Sequence, residues 1–146
     1  MSERKDSGLQ FVDTNILVYA HDLSAGKKRE IAAKLLEDLW YSRKGCLSIQ
    51  VLQEFFVVVT SKTASPLPRS LAREIVEKYY VWPVHSPRVS DVLRAIDIQE
   101  RHHISFWDAL IVSSACDLGC EVIWSEDLRD GQVYEGVTVR NPFARA

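Results

Sequence analysis

A chain of 146 residues, 47% hydrophobic and 26% charged, has the size of one domain and enough apolar material to bury a core. Its formal net charge of −2 removes general basicity as an argument for a nucleic-acid partner, while leaving room for local patches and bound cations. The cysteines Cys46, Cys116 and Cys120 are odd in number and form no C-x-x-C, no apolar run reaches membrane-span length, and the start MSERKDSG lacks a signal-peptide core, so the expectation is a cytoplasmic chain of reduced thiols that makes no use of a membrane.

Residues 1–7 and the extreme C-terminus are expected to fray. LQFVD (residues 9–13) has the apolar run of a short buried strand, and TNILVYAHD then switches to helical spacing, with Thr14 or Asn15 as cap. From Lys27 to Ser42 the apolar positions Ile31, Leu35, Leu36 and Leu39 recur every three to four residues, which predicts a helix. Gly45 ends that pattern, and CLSI predicts a strand. IQVLQEFFVVVTSK contains the strand-favouring FFVVV, but its length and its Val51, Leu52, Phe55, Phe56, Val59 pattern predict a helix capped by Ser48. Pro66 and Pro68 mark a loop before a helix over Arg69–Tyr79. VWPV predicts a strand whose proline suits an end or edge, and Arg88–His102 predicts a helix. SFWDALIVSSACDLG predicts a further helix closed by Gly119. EVIWS and VTVRN predict the last strands. This alternation implies an α/β sandwich, a mainly parallel central sheet of about four to five strands with helices on both faces. In such sheets ligands bind beyond the carboxyl ends of the strands.

Four acidic residues map to that edge. Asp13 closes the first strand, and Asp127 follows EVIWS in the same way. Asp108 lies in the first turn of its helix, and Glu54 interrupts an otherwise apolar helix. Carboxylates gathered at one mouth repel one another, and the usual resolution is a hard divalent cation with oxygen ligands, Mg²⁺ or Mn²⁺. Each residue also has a structural reading. Asp13 can be a turn cap, and Ser105-x-x-Asp108 can be a capping box. Glu54 can pair with a Lys or Arg. Asp127 can be a plain turn residue of SEDLRDG, where Glu126 and Asp130 compete for its place. Lys27, Lys28 and Arg29 open a helix, an unfavourable place for cations, and so mark either a phosphate-binding surface or a solvated face. His102 and His103 suit a helix C-terminus. Trp40, Trp82 and Trp124 suit the core or an interface, and Trp107 is the one tryptophan that can pack under the site.

The stretches FVDTNILVYA, LSIQVLQEFFVVV, ISFWDALIVSSA and WSEDLRDGQ, in this order and spanning most of the chain from Leu9 to Pro142, resemble the motifs of the PIN-domain nucleases, and among them the VapC-type toxins. The resemblance implies a PIN-like α/β/α sandwich occupying residues 1–146 as a single domain. It further implies hydrolysis of RNA with Mg²⁺ or Mn²⁺, a homodimer, and an antitoxin protein that blocks the site. Carried over by position, the family's acids are Asp13, Glu54, Asp108 and Asp127, the expected catalytic and metal-binding residues. Thr14, Asn15 and Ser125 fall at polar positions beside them, and Ser125 stands where threonine is common.

Other functions fit the residues less well. A Mg²⁺-dependent phosphatase with an aspartyl nucleophile would place a second Asp two residues after the first, where this chain has Asn15. Neither G-x-G-x-x-G nor G-x-x-x-x-G-K-[ST] is present. A non-catalytic binding module on the same scaffold is the remaining alternative.

Overall fold

In the computed structural model, which describes residues 8–144, the first strand β1 (Gln10–Val12) leads through Asp13 into helix α1 (Thr14–His21). The expected fraying of residues 1–7 lies outside the described residues. Helix α2 (Lys27–Ser42) precedes β2 (Gly45–Ser48), and α3 (Ile49–Ser61) is capped by the Ser48 hydroxyl, which accepts from the Val51 N–H. The ambiguous FFVVV segment is helical because one face of α3, carrying Val51, Phe55 and Val59, is wholly buried, and that burial outweighs strand propensity.

Helix α4 (Arg69–Lys78) runs into a single 3₁₀ turn (Tyr79–Val81), then β3 (Val84–His85), α5 (Val89–His102) and α6 (Phe106–Asp117). β4 (Val122–Trp124), β5 (Val133–Tyr134) and β6 (Val137–Arg140) complete the sheet. Two expectations need correction. The strand expected over VWPV begins only after its proline, because Val81 closes the 3₁₀ turn and pairing falls on Val84 and His85. The sheet has six strands, not four to five, because β5 and β6 form an antiparallel hairpin. Its two central residues, Glu135 and Gly136, have φ of 52° and 84°, the positive values that a type I′ turn requires.

The strand order is β3-β2-β1-β4-β6-β5, parallel except for the β5–β6 pair. From β1 the chain steps outward to β2 and β3, then returns across the sheet to β4. Right-handed crossovers therefore put α1–α4 on one face and α5–α6 on the other. The order reverses between β1 and β4, where the backbone N–H of Asp13 donates to the Trp124 carbonyl at 2.9 Å. A crevice opens at such a reversal, just beyond the carboxyl ends of the two strands. Phe11, Val12 and Ile123 beneath it are fully buried, as expected for strands covered on both faces.

Gly45 opens β2 directly under the ring of Trp82, and a Cβ at this position would lie 2.5 Å from the indole carbons. Trp82 is buried against Trp40 and Tyr79 and cannot swing aside. Gly45→Ala is expected to cost about 1–3 kcal/mol through overpacking, read as a lowered urea midpoint at unchanged slope. An unchanged midpoint would contradict this packing.

Candidate active site

Asp13 is 4% exposed and stands between β1 and α1 as the N-cap of the helix. Its Oδ1 accepts from the Thr14 N–H at 2.7 Å and its Oδ2 from the Ser125 hydroxyl at 2.7 Å, with the Asn15 amide at 3.4 Å. Burial pushes its pKa up to about 7, against the lowering effect of the Ser125 and Thr14 bonds, while the charges of Asp127 and Asp108 push it further up. The lowering bonds do not offset the loss of water.

Ser125 follows β4 and is itself fully buried. Its hydroxyl donates to Asp13 and accepts from the backbone N–H groups of Asp127 and Leu128 at 3.1 and 3.2 Å, so it fixes the turn that carries Asp127. Asn15 ties the same turn to α1. Its amide donates to Asp127 Oδ2 at 3.0 Å, and its carbonyl oxygen accepts from the Glu126 N–H at 3.0 Å.

The three acids that compete in SEDLRDG have separate surroundings. Asp127 is exposed and turned to Asn15. Glu126 accepts from Tyr19 at 2.6 Å and forms an ion pair with Lys28. Asp130 caps a turn by accepting from the Asn141 N–H at 2.8 Å. Lys28, one of the cations at the start of α2, lies over the rings of Tyr19 and Phe143.

Glu54 and Asp108 approach from the other side. Thr14 donates its hydroxyl to Glu54 Oε1 at 2.6 Å, linking α3 to α1. Asp108 is half-buried in the first turn of α6, where its N–H donates to the Ser105 hydroxyl at 3.1 Å. Burial raises the Asp108 carboxyl above the usual carboxylate range, the Ser105 hydroxyl lowers it, and the charges of Asp127 and Glu54 raise it. The four carboxylates thus act electrostatically on one another while neutral donors, Ser125, Thr14 and Asn15, stand between them.

Gln50 is a member of this network that the sequence reading passed over. It is buried one helical turn before Glu54, and its amide donates to Glu54 Oε2 and to the Trp107 carbonyl, each at 3.3 Å. It therefore joins α3 to the start of α6 beside Asp108. The signal was its i, i+4 spacing from Glu54 on the same helix face. Trp107 does not pack under the site as expected. Its side chain is 61% exposed, and only its carbonyl meets the network. His102 also stands apart, paired with Glu135 at 2.9 Å, and His103 ends α5 in the left-handed conformation.

The donor set is all oxygen, graded from buried Asp13 through half-buried Glu54 and Asp108 to exposed Asp127. A hard divalent cation fits both its chemistry and its accumulated negative charge.

The sequence profile of the PIN domain matches residues 11–135, and the chain belongs to the PIN domain family. No curated protein matches it in sequence. Solved structures share its fold. A chain of a toxin–antitoxin complex from Klebsiella pneumoniae is 19% identical, with a TM-score of 0.67 over 92% of this chain and 98% of that one. VapC20 of Mycobacterium tuberculosis, described as a Sarcin-Ricin loop cleaving toxin, is 20% identical, with a TM-score of 0.62 over 81% of this chain and 89% of its own. A chain of DNA-bound VapBC from Salmonella typhimurium is 16% identical, with a TM-score of 0.63 over 92% and 98%.

Proposed function

We propose that this protein is a divalent-metal-dependent endoribonuclease, the toxin of a toxin–antitoxin pair. The observation that carries the reading is Asp13, a buried carboxyl raised to about 7 at the sheet's reversal point with three more acids around it. A buried acid with other acids as neighbours destabilises the fold and is retained where it serves a site. Membership of the PIN family and the nature of the structural neighbours, toxins and toxin–antitoxin complexes, support the same reading.

In this reading Asp13 and Asp108 would hold Mg²⁺ or Mn²⁺, with Glu54 and Asp127 completing its ligand set. When bound, the ion supplies Lewis-acid charge neutralisation at the phosphate and makes water more acidic. The chain's own groups do the rest. Ser125 and Thr14 hold the Asp13 and Glu54 carboxylates in place, and Asn15 holds Asp127. Water attacks phosphorus and the bond to the 3′ oxygen breaks, Glu54 or Asp127 takes the proton of the attacking water, and the departing 3′ oxygen takes a proton from solvent water to leave as a hydroxyl.

Exposed apolar surfaces suit the implied partners. A groove of about 690 Å³ between α3 and α4, lined by Leu52, Phe56 and Val57 and flanked by Arg69 and Arg73, fits an antitoxin segment. The exposed Val89, Leu93 and Ile96 of α5 form a stripe suited to a homodimer contact. No helix among the described residues is long and apolar enough to cross a membrane. The cytoplasm, where RNA resides, is the compartment this reading assigns.

Purified protein freed of antitoxin is expected to cleave RNA with Mg²⁺ or Mn²⁺, to stop with excess EDTA, and to leave 5′ phosphates. Cleavage that survives chelation, or products ending in cyclic 2′,3′ phosphates, would contradict the proposal, because the latter arise from attack by the ribose hydroxyl.

A further inference from the structure

A second cluster of ionisable groups lies away from the four carboxylates. It is formed where the end of β3, the start of α5 and the end of α6 meet. Asp117 is nine residues beyond Asp108 on α6, about 14 Å along the helix axis. Here one donor atom each from His85, Asp91 and Asp117 lie within 4.8 Å of one another.

His85 is 6% exposed. Its Nδ1 is 2.8 Å from the Ser114 hydroxyl, and its Nε2 is 3.1 Å from Asp117 Oδ2 and 3.5 Å from Asp91 Oδ2. Despite these distances Nε2 is a buried atom without a hydrogen-bond partner, since neither carboxylate meets the geometry of an N–H···O bond. In the tautomer whose Nδ1–H donates to Ser114, the Nε2 lone pair faces two carboxylate oxygens, one of which, Asp91 Oδ2, also accepts from the Arg88 N–H at 2.7 Å, and either a proton or a metal ion between them relieves the repulsion. Arg88 reaches only 3.6 Å from Asp91 and 3.7 Å from Asp117, with its side chain mostly in solvent.

We propose that His85, Asp91 and Asp117 form a structural site for a borderline divalent cation, Zn²⁺. The histidine's two separations fit. Ligands about 2.0–2.1 Å from a tetrahedral zinc are about 3.3 Å from each other, and the N···O distances of 3.1 and 3.5 Å bracket that value, with the two carboxylate oxygens within 4.8 Å of one another. The imidazole nitrogen selects Zn²⁺ over the hard Mg²⁺. Ser114 orients the ring through its other nitrogen, as a metal-bound histidine requires. Asp117 is a carboxylate in the last turn of α6, at the negative end of the helix dipole, and a cation there relieves both charges. It is also the most accessible of the three, which leaves a route for the ion and a position for water. The ion would pin the short edge strand β3 to both helices of its face. This inference stands apart from the ribonuclease reading.

The test is calorimetric titration of EDTA-stripped, dialysed protein with Zn²⁺ in excess Mg²⁺, which occupies the carboxylate site, alongside Co²⁺ absorption spectra. Wild type is expected to take up one equivalent of Zn²⁺, to melt at a higher temperature with it, and to give Co²⁺ bands of a nitrogen-ligated site. His85→Ala and Asp117→Asn are expected to bind at least about tenfold more weakly and to lose the thermal shift. Circular dichroism establishes that each variant is folded. Should His85→Ala not fold, Asp117→Asn and the wild-type Co²⁺ bands decide. No uptake by wild type overturns the proposal. So does Zn²⁺ binding that survives Asp117→Asn but is lost in Asp13→Asn, because the ion then belongs to the four carboxylates.

Discussion

Asp13→Asn is expected to make the metal-free protein more stable at alkaline pH, by about 2 kcal/mol, while lowering RNA cleavage at least about a hundredfold. The Asp13 carboxyl moves from 3.8 to about 7 on folding. A folded-state pKa above the unfolded one means that the folded protein binds the proton more tightly. The resulting stability is fully present below about 4 and is lost as pH rises through about 7. At pH 8 the ionised group is carried at a cost of about 4 kcal/mol. Asparagine removes that cost but keeps only one acceptor oxygen for the two donors, the Ser125 hydroxyl and the Thr14 N–H, and the donor left without its acceptor offsets about 2 kcal/mol of the gain. Urea melts in EDTA across this range are expected to show wild type losing stability with rising pH and the variant nearly flat. Mg²⁺ is expected to stabilise wild type most above pH 7 and the variant little. A variant less stable than wild type at pH 8, with the same pH dependence, would show that Asp13 serves as a helix cap.

Asp108→Asn separates a site residue from a capping residue. Asparagine retains the backbone N–H that donates to Ser105, so the N-cap of α6 survives. The half-buried, raised carboxyl of Asp108 is removed, together with its repulsion from Asp127 and Glu54. The apo fold is expected to be as stable as wild type or more so. RNA cleavage is expected to fall at least about a hundredfold, about 3 kcal/mol of transition-state stabilisation. A purely structural Asp108 gives the opposite pattern, a loss of up to about 1 kcal/mol of stability with cleavage unchanged.

Elements whose signal is local were legible in the sequence. The buried strand ending at Asp13, the Ser48 cap and the four-residue spacing of Val51, Phe55 and Val59 all follow from neighbouring residues. The β5–β6 hairpin escaped because its turn is Glu-Gly, outside the Asn-Gly and Asp-Gly pairs that usually announce positive φ at both positions. The start of β3 was shifted because the preceding residues close a 3₁₀ turn, and no period in VWPV records that.

At the site, the motifs indicated which acids to consider but not what supports them. Glu126 and Asp127 are adjacent in a polar turn, and only contacts with Lys28, Tyr19 and Asn15, all distant in sequence, distinguish them. The same holds for His85, which meets Ser114 and Asp117 through the packing of an edge strand on a helix. Trp107 was misplaced because a residue in a helix's first turn can face either way, and here its ring faces solvent while only its carbonyl meets Gln50 of α3.

Four particular carboxylates are proposed to perform the chemistry. The direct measurement is the rate of RNA cleavage in Mg²⁺ by six single variants made side by side. Asp13→Asn, Glu54→Gln, Asp108→Asn and Asp127→Asn are each expected to lose at least about a hundredfold. Glu126→Gln and Asp130→Asn, whose carboxylates are engaged with Lys28 and Tyr19 and with the Asn141 N–H, are expected to stay within about threefold of wild type. Full activity in folded Asp13→Asn, or a loss in Glu126→Gln or Asp130→Asn equal to that of the four, would contradict the account.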